Sequence, residues 1–241
     1  MQRRRLITTL ALLGAANISL ADNSINTLQN VAQANFKLLS EDLSSTLSYK
    51  AVIPATPLGI TGFDLGVEAS GTKLQHPEVW QQATNSTSAP STIVVPKIYL
   101  HKGLPLDFDV GAFYTSVPTS NIKLVGFEVR YALVTGGVAT PAVGLRGTYT
   151  KLSGVDQLAL NTMGIELLVS KGFAFVTPYL GVGHIKTNSD PQGIPTLQNE
   201  TINQNKTFAG INMNFGLVNL ALEGDKTGGA ASYSLKFGFR F

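Results

Sequence analysis

The chain closes on YSLKFGFRF, residues 233–241. Tyr233, Leu235, Phe237, Phe239 and Phe241 fall on one parity; Ser234, Lys236, Gly238 and Arg240 fall on the other. Strand side chains point alternately to opposite faces, so this segment has one apolar face and one wet face. The same alternation recurs from Leu58 onward. It predicts strands at 58–74, 93–102, 105–116, 121–135, 141–152, 157–170, 173–187, 205–215, 217–226 and 231–241. Strands of soluble proteins usually run about 5–6 residues. An apolar band about 25 Å tall, crossed at a tilt of about 40°, needs roughly ten. The predicted strands have that length.

The connections differ between the two ends. HKGLP, TGGVATP, SKGF and the turn 216–219 are short, whereas 76–92 and 187–206 are long, polar and rich in Ser, Thr, Asn and Pro. Short turns at one end and long loops at the other is the organisation of outer-membrane barrels. The expected fold is therefore all-β, a transmembrane antiparallel up-and-down β-barrel of about ten strands. Upstream, Ile25, Leu28, Ala32, Phe36, Leu39, Leu43 and Leu47 recur at steps of three and four and predict one amino-terminal amphipathic helix over 24–47. Segment 45–54 is either a tether from the helix into the barrel or half of a hairpin, which would make twelve strands.

The two parities have different compositions. Phe127, Val129, Tyr131 and Leu133 oppose Gly126, Glu128 and Arg130; Ile165, Leu167 and Val169 oppose Gly164, Glu166 and Ser170. The polar rows are glycine with a few acids and bases, unlike the Lys-, Glu- and Thr-rich face of a water-soluble sandwich. The apolar rows are thus assigned to lipid and the polar rows to an enclosed interior. Glycine is poor in a strand interior, and its repetition asks for a cause. Curvature of a small closed sheet is the leading one, room in the lumen the second. Pro96 and Pro178 fall inside predicted strands and mark local doubt about pairing, or bulges.

The opening residues change the charge balance. Arg3, Arg4 and Arg5 precede an apolar stretch from Leu6 to Ala16 and the small-residue site Ser19-Leu20-Ala21. These are the three regions of a cleaved secretory signal, residues 1–21, whose apolar run is too short to span a bilayer. Of 18 basic side chains three belong to that signal, leaving 15 against 15 acidic ones. No case for nucleic-acid binding survives. The absence of Cys excludes disulfides and thiolate metal sites. The remaining organisation is 22–57, helix and tether with a candidate plug role, and 58–241, the barrel.

The pattern that ends in Tyr233, Phe239 and Phe241 resembles the signal read by the outer-membrane barrel assembly machinery. The stretches KGLPLDFDVGAFY, VGFEVRYAL, LSGVDQL, SKGFAFVTPYLGVG and YSLKFGFRF are similar to a family of small, functionally uncharacterised proteobacterial outer-membrane barrels. That resemblance implies a fold and a location, the outer membrane of a Gram-negative bacterium reached through the periplasm. It implies no named activity.

Candidate chemistry lies on the polar parity. Glu128, Arg130, Arg146 and Glu166 fall on three successive predicted strands and could form an ion-pair ladder. Fixing strand register is the leading reading of such pairs and a gate or selectivity ring the second. Asp107, Asp109, Lys236 and Arg240 are expected to join similar pairs near the short-turn end. No enzyme, cofactor or metal is expected: the chain has no phosphate loop and no clustered histidines. The helix would plug the lumen, lie on the inner-leaflet surface or meet a periplasmic partner. The functional expectation is a gated or plugged pore, or a binding barrel for a small solute. The alternatives are a closed structural or surface-interaction barrel and an outer-membrane lipid-modifying enzyme.

Overall fold

The computed structural model describes residues 24–84, 86 and 90–241, so the signal segment 1–21 lies outside the described residues. Ten strands follow one another: β1 Phe63–Lys73, β2 Thr92–Gly103, β3 Phe108–Ser116, β4 Lys123–Val134, β5 Ala142–Ser153, β6 Leu158–Ser170, β7 Val176–Pro191, β8 Glu200–Phe215, β9 Val218–Thr227 and β10 Ala230–Arg240. Each pairs antiparallel with its chain neighbours, and β1 closes the barrel on β10 with Leu65 opposite Phe239 and Ala69 opposite Leu235. Residues 48–58 join no strand, so the twelve-stranded alternative does not form.

The outward rows are apolar and exposed through the middle of the wall, as in Phe127, Val129, Tyr131 and Leu133 of β4 and Leu235, Phe237 and Phe239 of β10. A closed barrel with such a belt is a transmembrane barrel. Towards the long-loop end the polarity inverts. There the inward positions are apolar: Ile93 and Val95 on β2, Leu124 on β4, Leu152 on β5, Leu158 and Leu160 on β6, and Ile202 on β8 are all buried. The outward positions become polar, with Lys123, Lys151, Asn203 and Asn205 exposed. The upper barrel is built like a soluble domain, and its core needs an apolar filler.

That filler is the amino-terminal segment. A 3-10 turn at Leu28–Asn30 leads into α1, Gln33–Leu47. Phe36, Leu39, Leu43 and Leu47 of α1 are buried in one apolar cluster with the upper strand residues, so the apolar stripe meets apolar wall. The helix is shorter than the periodicity of 24–47 predicts. Asn26 and Thr27 donate their N–H groups to the Ala83 carbonyl, and Leu28 donates to the Gln157 side chain. These tertiary bonds satisfy the first amides, and Val31 and Ala32 stay extended. Ala83 belongs to α2, Pro77–Thr84, inside the stretch expected to be a plain loop; its Trp80 is fully buried beneath the cap. The second long loop also shrinks, because β7 and β8 run on to Pro191 and from Glu200.

From α1 the chain threads down the lumen and enters β1 at the opposite end, where Phe63 exchanges backbone hydrogen bonds with Phe241. Residue 24 and residue 63 therefore sit at opposite ends of the barrel. The glycine rows seat aromatic rings of the wall itself. A Cβ at Gly126 would strike the Phe113 ring, at Gly210 the Tyr179 ring and at Gly181 the Phe208 ring. Room, more than bending, is what these positions require. Neither proline makes a bulge; the single register shift in the paired strands falls at Ala132/Val134. The β2–β3 ladder ends at Ile98–Tyr114, and the β6–β7 ladder ends at Ser170–Tyr179. Each proline thus sits just past the end of one ladder, where its missing N–H breaks no bond.

The lumen position of α1 is open to a direct test. The Ser44 and Thr187 hydroxyls lie 2.7 Å apart across the α1–β7 contact. In a chain without other cysteines, the Ser44→Cys/Thr187→Cys variant is expected to form one internal disulfide under mild oxidation, with no thiol left to titrate. A helix lying on a membrane surface would leave both thiols free.

Candidate functional site

The lumen wall carries charges from almost every strand, and four of them, with one hydroxyl, hold the threaded backbone. Lys206 on β8 donates to the Tyr49 carbonyl at 3.0 Å, Lys97 on β2 to the Lys50 carbonyl at 3.2 Å, and Arg130 on β4 to the Pro54 carbonyl at 2.7 Å. Asp109 on β3 accepts the Leu58 N–H at 3.0 Å, and the Ser170 hydroxyl accepts the Ala55 N–H at 3.1 Å. An extended segment buried without a ladder would otherwise leave its amides and carbonyls unsatisfied. Tyr49 anchors the start of the thread, its ring 5.1 Å from that of Phe113.

Each of these wall charges is itself paired. Asp109 holds Arg130 through Nη2 at 2.6 Å and Nε at 3.2 Å. Glu166 on β6 takes Arg146 of β5 through both Nε and Nη2, and Lys206 at 2.9 Å. Glu68 holds Lys97 at 2.6 Å, and Asp64 holds Lys236 at 2.8 Å. Buried charges without partners are costly, so a wall base that donates to the thread needs an acid behind it.

The sequence-predicted residues fall into this scheme unevenly. Arg146 and Glu166 sit directly opposite each other across β5 and β6 and bond as neighbours. Arg130 turns the other way, to Asp109, so the four do not make one ladder. Glu128 stands 3.9 Å from Arg146 Nε and 3.4 Å from His101 Nε2, and neither of its oxygens has a hydrogen-bond partner among the described residues. Lys236 joins Asp64, and Arg240 reaches Asn212 at 3.2 Å. Asp107 corrects the expectation: it is exposed in the turn before β3 with a positive φ of 61°, and its carbonyl accepts from Ala132. Strand β3 begins one residue later, so the turn carries Asp107 out of the lumen. Tyr233, Phe239 and Phe241 lie exposed on the outward face.

Several site residues escaped the sequence reading. Asp64, Glu68, Lys97 and His101 were visible only as inward parity. Lys206 falls where the predicted strand 205–215 overlaps the connection 187–206, and TINQNK has no apolar row to mark its inward parity, because the outward face of β8 is already polar at that level. Above the lumen, Asp42 of α1 ties the cap to the first long connection, accepting the backbone N–H groups of Gln75 and His76 at 3.0 and 2.9 Å. Burial pushes the Asp42 carboxyl above its ordinary range, against those two bonds.

Fold and site together define a class: a closed ten-stranded transmembrane β-barrel whose lumen is occupied by its own amino-terminal segment. No family model matches the chain, and no curated protein matches it. Among solved structures it is similar to the N-terminal β-barrel domain of OprF from Pseudomonas aeruginosa, 16% identical over 76% of this chain and 99% of that one, with a TM-score of 0.37. It is also similar to the KdgM porin, 7% identical over 75% and 99% of the two chains, TM-score 0.37. A third is Ail of Yersinia pestis in complex with a heparin analogue, 14% identical over 75% and 97%, TM-score 0.28.

The wall network predicts a large effect from one small change. Glu166→Gln keeps the volume but leaves Arg146 and Lys206 short of their buried counter-charge. The expected loss is about 3–5 kcal/mol, the range for breaking a buried pair. It is read from the urea concentration at which unboiled protein loses its compact migration on a detergent gel. An unchanged midpoint would mean that these charges are hydrated rather than buried.

Proposed function

We propose that this protein is an outer-membrane barrel that passes or binds a small polar solute, and that its amino-terminal segment is the gate. The observation that carries the reading is how residues 48–58 are held. They form no ladder with the wall, and their backbone is gripped by side chains of Lys206, Lys97, Arg130, Asp109 and Ser170. Side-chain grips can be exchanged for water or a polar solute one at a time, whereas a strand in a ladder leaves only with its neighbours. Withdrawal of the thread would expose a passage lined by acid–base pairs, a surface that favours polar over apolar cargo. The exposed apolar belt, with short turns at one end and a long extension at the other, supports outer-membrane placement. The exposed aromatic carboxy-terminal row supports delivery by the barrel assembly machinery. Catalysis has no part in this reading.

A second reading is favoured by the cap. Phe36, Leu39, Leu43 and Trp80 are fully buried with the upper strands, and truncation of any one is expected to cost about 2–5 kcal/mol. A cap this well packed suits a closed barrel whose long-loop face meets other molecules.

Planar-bilayer recording separates the two. Under the gate reading the Ser44→Cys/Thr187→Cys variant is silent when oxidised and gives current steps of wild-type size after reduction. Under the closed-barrel reading the wild-type chain, the oxidised variant and the reduced variant are all silent.

A further inference from the structure

The outward rows of the barrel treat charge in a way the lumen does not explain. Seven acids, Asp64, Glu68, Asp109, Glu128, Glu166, Glu223 and Asp225, are buried on inward positions of the strands. On the outward positions the acid is Asp190 alone, at the tip of β7, while lysines recur. Five of them, Lys73, Lys123, Lys151, Lys186 and Lys226, are exposed and lie on five different strands, all towards the long-loop end. None of the five ammonium groups has a hydrogen-bond or ion-pair partner among the described residues.

Their level in the wall is the second observation. On β4 the outward row is apolar from Leu133 up to Val125, and the next outward residue is Lys123. On β5 the row passes from Tyr149 to Lys151, and on β7 it passes from Val182 through His184 to Lys186. The lysines stand where the lipid-facing belt gives way to the polar upper barrel, which is headgroup height. The other boundary is built differently, from aromatic pairs: Phe63 with Phe241 at 5.5 Å, Phe108 with Tyr131 at 4.7 Å and Phe175 with Phe215 at 5.4 Å. The lysines at that boundary are engaged, Lys102 with the Gly62 carbonyl and the Phe63 ring and Lys171 with the Gly137 and Val138 carbonyls, whereas those at the long-loop boundary are unengaged, so the two rims suit different leaflets.

Strand register groups the cations. Lys151 pairs with Val125, the outward neighbour of Lys123, so the two stand diagonally at about 7–8 Å. Lys151 also pairs with Asn161, and Lys186 with Met163 one outward step below it, which continues an oblique row across β6. On the far side Lys226 pairs with Ala231 of β10, and Thr72 pairs with Ser232, which sets Lys73 and Lys226 on either side of one strand, about 10 Å apart.

We propose that these lysines form a collar that binds the phosphate groups of anionic lipids in the leaflet at the long-loop end. A phosphate between Lys123 and Lys151 is within reach of both side chains, and Lys186 extends the track to a second headgroup. The absence of outward acids in the belt below removes competing counter-ions. A lysine near an anionic membrane surface contributes about fivefold in binding.

The test uses the full chain in dodecylmaltoside micelles and acyl-labelled phosphatidylglycerol, followed by fluorescence anisotropy. The expected result is tighter binding of phosphatidylglycerol than of zwitterionic phosphatidylcholine, weakened by salt. The Lys123→Gln/Lys151→Gln/Lys186→Gln variant is expected to lose about 100-fold in that affinity. A control, Lys37→Gln/Lys102→Gln, removes two exposed or rim cations away from the collar and leaves it unchanged. Faster gel migration of the unboiled protein checks that each variant folds. Equal affinity for the two lipids, or full affinity in the triple variant, would overturn the collar. So would displacement of the lipid by millimolar inorganic phosphate, which would mark a site for free anions instead.

Discussion

A backbone that crosses a membrane-embedded lumen must find partners for its N–H and C=O groups, and here they come from charged side chains of the wall. Residues 48–58 run through the lumen without joining a ladder. Lys97, Lys206 and Arg130 supply donors, and Asp109 and Ser170 supply acceptors. The rest of the lumen follows from that need. A base turned towards a carbonyl in a buried place requires a counter-charge, and Glu68, Glu166 and Asp109 stand behind those three bases. The ion pairs and the thread are thus one structure: the acids offset the buried charge of the bases, and the bases dress the thread.

The barrel changes its solvent along its own length. In the belt it is apolar outside and charged inside; in the upper part it is polar outside and apolar inside. One strand can obey both rules, because alternation is kept while the meaning of each parity is exchanged. Leu124 and Glu128 lie on the same parity of β4, yet Leu124 faces the cap and Glu128 the charged lumen. The apolar stripe of α1, out of place against charges, becomes core at this level. The lysine collar marks the plane where the exchange happens.

Small residues and prolines are placed by neighbours across the sheet rather than by their own strand. Gly66 and Gly238 face each other under the Tyr99 hydroxyl, and a Cβ at either would collide with it. The pairing of a glycine with a ring on the next strand lets aromatic side chains fill a narrow interior without forcing the wall apart. Pro96 and Pro178 stay in continuous strands because each lies just past the end of one of its two ladders.

Alternation determined the ten strands, with bounds that miss by up to five residues at the starts of β1 and β8, because side-chain direction in a strand is a local property with period two. Which parity meets lipid needed more: the glycine-and-charge composition of the polar rows, the strand lengths and the aromatic carboxy-terminal row. Together they marked Asp109, Glu128, Arg130, Arg146 and Glu166 as inward. Partner identity was decided only by tertiary structure: Arg130 goes to Asp109 and not along a ladder to Glu166, since register and side-chain reach choose among several inward acids. The fate of Asp107 turned on where β3 starts, at Phe108 and not at 105, which leaves Asp107 in a turn with positive φ instead of on an inward strand position. Lys206 and the path of the amino-terminal segment were hidden for a deeper reason. Lys206 stands at the level where the outward row of β8 is already polar, and the amino-terminal segment fills the upper barrel, where polar-out, apolar-in logic holds. No local pattern announces the height at which a strand leaves the membrane; that level appears only once all ten strands are aligned around a common axis.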